Sequence, residues 1–72
     1  MERKVYAVTV HYGDENGTRT YPIRVEAAGW ESAKAAAIAA FRRVVAYNRS
    51  HGHYAFSGLN IVGARPRFLH YV

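Results

Sequence analysis

The first third of the chain alternates apolar and polar positions with a period of two. Tyr6, Val8, Val10 and Tyr12 alternate with Val5, Ala7, Thr9 and His11, and Tyr21, Ile23, Val25 and Ala27 alternate with Thr20, Pro22, Arg24 and Glu26. That spacing belongs to strands with one buried face. Strand one is expected from about Lys4 to Tyr12 and strand two from about Thr18 to Ala27. Between them lies Asn16-Gly17, a dipeptide suited to the positive φ angles of a type I′ turn. A turn centred there sets Tyr12 opposite Tyr21, Val10 opposite Ile23, Val8 opposite Val25 and Tyr6 opposite Ala27. The other side then shows Thr9 opposite Arg24 and Ala7 opposite Glu26. Slipping this register by one residue would scatter the apolar set over both faces.

The period then changes to that of a helix, expected from near Trp30 to near Asn48. Gly29 is an acceptable N-cap, and Glu31 in the first turn suits the positive end of the helix dipole. Ala33 to Ala40 is a run of the strongest helix former, interrupted only by Lys34 and Ile38. At 3.6 residues per turn Trp30, Ala33, Ala37, Ile38, Phe41, Val44 and Val45 share one side, which makes a lid for the apolar face of the hairpin. The opposite side carries Ser32, Ala35, Ala39, Arg42, Arg43 and Ala46. Alanine there is first of all helix-forming filler, although a smooth alanine face also loses little side-chain entropy on binding.

The pattern breaks from Asn48 to Gly58, a loop holding Tyr54 and Phe56. Leu59 to Ala64 reads as a third strand, and Pro66 marks either an edge position or the strand's end. Phe68 to Val72 is then an apolar extended tail, which packs on its own domain or pairs with another chain. The expected fold is α+β: a single small domain over residues 1–72, in ββαβ order, with a three-stranded antiparallel sheet and one helix packed across one face. The simplest strand order is two, one, three. It leaves two open edges.

Size and charge sharpen this picture. A chain of 72 residues buries only about 60% of the surface it exposes when unfolded. With no cysteine there is no disulfide to staple it, so self-association is one route to extra stability. The absence of cysteine also fits a reducing compartment, and no apolar run approaches the length of a membrane span, so a cytoplasmic location is expected. The formal charge of +5 and an isoelectric point near 10.0 suit a polyanionic partner, and equally suit a small domain kept soluble by charge.

Three constellations could carry function. Arg42, Arg43 and Arg49 gather at the helix end, with Arg65 and Arg67 later in the chain, and Tyr54 lies in the loop between. Arginines interleaved with an exposed ring could hold phosphates and stack on a base. Cations at a helix C-terminus are also favourable for dipole reasons alone. The tail residues Phe68, Leu69 and Tyr71 could anchor an edge-to-edge pairing with a second chain, where main-chain hydrogen bonds supply affinity. His51-Gly52-His53 offers at most two metal ligands, short of the four a closed zinc site takes. No cofactor or metal is therefore expected. The carboxylates Glu2, Asp14, Glu15, Glu26 and Glu31 are scattered, and no nucleophile is set in a recognisable motif, so no enzymatic activity is expected.

The stretch Tyr21-Pro-Ile-Arg-Val-Glu-Ala-Ala-Gly-Trp-Glu-Ser-Ala-Lys-Ala-Ala-Ala resembles a strand-to-alanine-rich-helix pattern common in small accessory proteins of bacteriophages. That resemblance covers about a quarter of the chain. It implies a host-directed regulator or inhibitor, such as an anti-CRISPR, and assigns no functional residue. The leading expectation is a non-catalytic interaction protein that docks on another macromolecule, with a homodimer as one form. The alternative is a small basic nucleic-acid-binding module that uses Arg42, Arg43, Arg49, Arg65 and Arg67 on phosphates, with Tyr54 stacking.

Overall fold

The computed structural model describes residues 3–14, 17–52 and 60–72. Strands β1 (Lys4–Asp14) and β2 (Gly17–Ala27) are followed by helix α1 (Trp30–Ser50) and strand β3 (Asn60–Tyr71). All pairings are antiparallel, and the sheet order is β2-β1-β3. The helix covers one side, as the alternation requires. Tyr6, Val8, Val10 and Tyr12 are buried beneath it, while Val5, Ala7, Thr9 and His11 on the reverse side are only half-buried.

The hairpin register differs from the expected one by two residues. Tyr6 lies opposite Val25, Val8 opposite Ile23, Val10 opposite Tyr21, and Tyr12 opposite Arg19. Asp14 faces Gly17, and Gly17 opens β2 with φ +117°. A shift of two leaves every side chain on its original face, so the alternation cannot tell the registers apart. The ends of the hairpin can. Arg19 Nε approaches Asp14 Oδ2 at 3.2 Å at one end, and Arg3 Nε donates to Glu26 Oε1 at 2.9 Å at the other. Gly17 is the residue this register depends on, because a side chain there must enter the left-handed region. A methyl group at Gly17 would meet no atom within 4 Å. Gly17→Ala is therefore expected to cost about 1–2 kcal/mol from backbone strain alone, read from the urea midpoint. An unchanged midpoint would mean that position 17 does not hold the positive φ described.

The helix starts where its sequence predicts and runs two residues past the expected end. Gly29 is extended (φ −158°) and precedes the first turn. Ser32 Oγ accepts the Gly29 N–H at 3.1 Å, satisfying a donor that the open helix start leaves without an intrahelical partner, and donates to the Gly29 carbonyl at 3.0 Å, which also accepts the Ala33 N–H. At the far end His51 N–H donates to the Tyr47 carbonyl, and Gly52, at φ +76°, donates to Arg49 and closes the helix. Ala33, Ala37, Phe41 and Val45 are its buried residues. Ile38 and Val44 pack partly against the core. Trp30 departs from the expected stripe. It stands at the rim of the sheet, 48% exposed, with the Lys34 ammonium 5.1 Å from its ring centroid. Its position at the first residue of the helix, three beyond the end of β2, puts it past the surface it was expected to cover. Phe41 sits centrally, its ring centroid 5.0 Å from that of Tyr12 and 5.3 Å from that of Tyr21.

Strand β3 does not stop at Pro66. It continues through Pro66, which lies opposite Val8, and pairs with β1 as far as Tyr71 opposite Lys4. Val72 N–H donates to the Arg3 carbonyl at 3.0 Å. The apolar tail thus pairs within its own chain. A proline is tolerated here because β3 is an edge strand, where a missing donor need not break a ladder. Two irregularities interrupt the register, one between His11 and Tyr12 and one between Val5 and Tyr6. They leave Val62 and Leu69 as the extra residues of β3.

Candidate nucleic-acid interface

Among the described residues the sheet is covered on one side only, by α1, and the register sets out the reverse side in rows. Glu26, Val5 and His70 form one row, and Arg24, Ala7 and Arg67 the next. Pro22, Thr9 and Arg65 follow, then Thr20, His11 and Gly63. The central strand presents short or half-buried side chains, and the arginines stand exposed on the two edge strands. Between neighbouring strands the spacing is about 4.8 Å, so the Cα atoms of Arg24 and Arg67 lie about 10 Å apart across Ala7. Arg65 and Arg67, two residues apart on one strand, are separated by about 6.6 Å.

The electrostatics of this face are one-sided. Its acid, Glu26, is held by Arg3, whose guanidinium also reaches the Glu26 carbonyl oxygen. Asp14 lies on the helix side with Arg19, and Glu31 is in the first turn of α1. Among the described residues no carboxylate forms an ion pair with Arg24, Arg65 or Arg67. With respect to the described residues, three guanidiniums are therefore available to an external anion. Each presents a planar fork of donors that matches a phosphate.

The residues expected from sequence divide between two surfaces. Arg65 and Arg67 belong to the open sheet face. Arg42 and Arg49 belong to the other side of the molecule, where they line an open cleft of about 420 Å³ with Val45, Ala46, Asn60 and Ile61. Arg43 is exposed on the helix. Tyr54, the expected stacking residue, lies outside the described residues, as do Phe56 and His53. Arg24 completes the sheet face and was missed from the expected set. Its signal was present in the period-two pattern, which places it on the same face as Thr9 and Ala7.

The expected interaction residues gather at one end of the helix-side surface. Phe68 is 46% and Tyr71 57% exposed. Their rings meet edge-on at 5.1 Å, and Phe68 meets Tyr6 edge-on at 6.1 Å. Leu69 is half-buried at a bulge. The inner edge of β3 is occupied by β1. Its outer edge carries Pro66 and two bulges, devices by which sheets discourage further strand addition.

Among the described residues no helix is long and apolar enough to cross a membrane, and no group of three or more His, Cys, Asp or Glu side chains converges at one place. Comparison of the chain with family models, curated proteins and solved structures finds no match.

Proposed function

We propose that the protein is a small, non-catalytic nucleic-acid-binding module that docks through the open face of its sheet. The observation that carries this reading is the placing of arginines on both edge strands, Arg24 on β2 and Arg65 with Arg67 on β3, flanking a central strand of short or half-buried side chains. The net charge of +5 supports it by favouring encounter with a polyanion. The helix-end arginines face elsewhere and are not part of the contact.

Binding of a fluorescently labelled DNA duplex, followed by anisotropy at several salt concentrations, tests the reading. Three phosphates neutralised at about 0.9 counterion each predict a slope near −2.7 in log K against log salt, and so about a fortyfold loss of affinity between 50 and 200 mM. Binding that ignores salt, or no binding at low salt, would reject it.

A second reading is favoured by the exposed Phe68–Tyr71 cluster, with Val72 beside it at 75% exposure. Here the protein is an interaction module, of the phage-accessory kind its sequence resembles, and the aromatic end meets another protein or a second copy. Light scattering in the presence of the same duplex separates the two. A stable homo-oligomer indifferent to DNA belongs to the second reading.

A further inference from the structure

We infer that the ligand of the open face is double-stranded DNA in the B form, rather than a single strand or an RNA duplex. This inference rests on the nucleic-acid reading above. Its first ground is the position of the rings. Proteins that hold single strands stack successive bases on aromatic side chains. On this face the rows are Val5, Ala7, Thr9 and His11 with their partners, and among the described residues no Phe, Tyr or Trp stands in them. Tyr6, Tyr12, Tyr21 and Phe41 are turned to the helix side, where they pack on one another or on Phe68. The two imidazoles, His11 and His70, stand in rows about 20 Å apart, and so make no platform for neighbouring bases.

The second ground is the layout of the charge. A single strand has one phosphate backbone and needs one line of cations. This face has cations on both edge strands, Arg24 on one and Arg65 with Arg67 on the other, with Ala7 and Thr9 between them. The two edges are about 10 Å apart at Cα before the guanidiniums extend, against a B-DNA major groove of about 12 Å. Two backbones bordering one groove meet that arrangement. The low central row allows the sheet to approach the groove between them. The major groove of an RNA duplex is deep and narrow, and its wide minor groove is met through 2′-hydroxyl contacts, for which Val5 and Ala7 in the central row have no side-chain donor or acceptor.

Anisotropy titrations of the full chain with a DNA duplex of about twenty base pairs, with either of its strands alone, and with the RNA duplex of the same sequence provide the test. The DNA duplex is expected to bind at least about tenfold more tightly than the other two, a difference well beyond titration error. A single strand or RNA duplex bound as tightly as the DNA duplex would overturn the inference and leave the nucleic-acid reading standing. Failure of all three probes to bind would reject that reading as well. Ala7→Phe, which raises a ring in the central row, supplies an independent arm. It should weaken duplex binding about tenfold and leave single-strand binding unchanged or stronger, with circular dichroism confirming the fold. Equal weakening on both probes by the folded variant would overturn the groove geometry. The wild-type comparison stands by itself should Ala7→Phe fail to fold.

Discussion

Phe41→Ala is expected to destabilise the domain by about 3–5 kcal/mol, the range for emptying a fully buried aromatic site. Phe41 has no exposed surface. Its ring lies against Tyr12 from β1 and Tyr21 from β2, tilted 39° and 51° to them, so it joins the helix to both strands of the hairpin. The neighbouring helix residues Ala33 and Ala37 are also completely buried, but they are too small to expand into a void. A chain of this length has a total stability of roughly 4–11 kcal/mol by the usual per-residue range. Toward the lower end of that range the substitution unfolds a large share of the molecules at room temperature, and toward the upper end it lowers the midpoint without unfolding them. Urea titration followed by circular dichroism would show the midpoint collapse, and Phe41→Leu should recover much of it. A midpoint within error of wild type for Phe41→Ala would mean that the helix does not seat on the sheet as described.

The architecture was legible because two periodicities carry it, and they do not interfere. Period two marks Tyr6 to Tyr12 and Tyr21 to Ala27, period 3.6 marks Ala33 to Val45, and the change between them locates Gly29. The register was not legible, because sliding β2 by two residues preserves both faces. The choice rests on contacts at the hairpin ends: Arg3 with Glu26, an exposed pair worth no more than about 1 kcal/mol, and Arg19 with Asp14, whose carboxylate is buried. Pro66 was read as an end or an edge, and only the pairing of Arg67, Phe68 and Tyr71 with β1 decides for the edge. The sheet-face arginines show the same limit from another side. In the sequence Arg65 and Arg67 group with Arg42, Arg43 and Arg49 as the arginines that follow one another along the second half of the chain. Their companion is Arg24, brought near by the strand order β2-β1-β3. Proximity in sequence gathered residues from opposite sides of the sheet, whereas projecting each strand at period two would have separated them.

Replacing Arg24, Arg65 and Arg67 together with alanine is the change expected to act most strongly on binding. With three contacts contributing a slope near −2.7, the electrostatic part of the affinity between 1 M and 50 mM salt amounts to roughly three thousandfold. The triple variant should lose about that factor at the lower salt, and its remaining affinity should vary little with salt. Each single replacement should reduce the slope by about 0.9. Loss of fold does not confuse the measurement, because exposed substitutions of this kind usually shift stability by no more than about 0.5 kcal/mol, and all three residues are exposed. The matching control is Arg42, Arg43 and Arg49 changed to alanine, an equal removal of charge from the other side of the molecule. Both variants carry the same net charge, so a general electrostatic attraction would weaken them alike, and only a docked sheet face separates them. If the helix-side variant loses the salt-dependent binding and the sheet-face variant keeps it, the contact belongs to the cleft between α1 and the start of β3, where Arg42 and Arg49 stand beside Asn60.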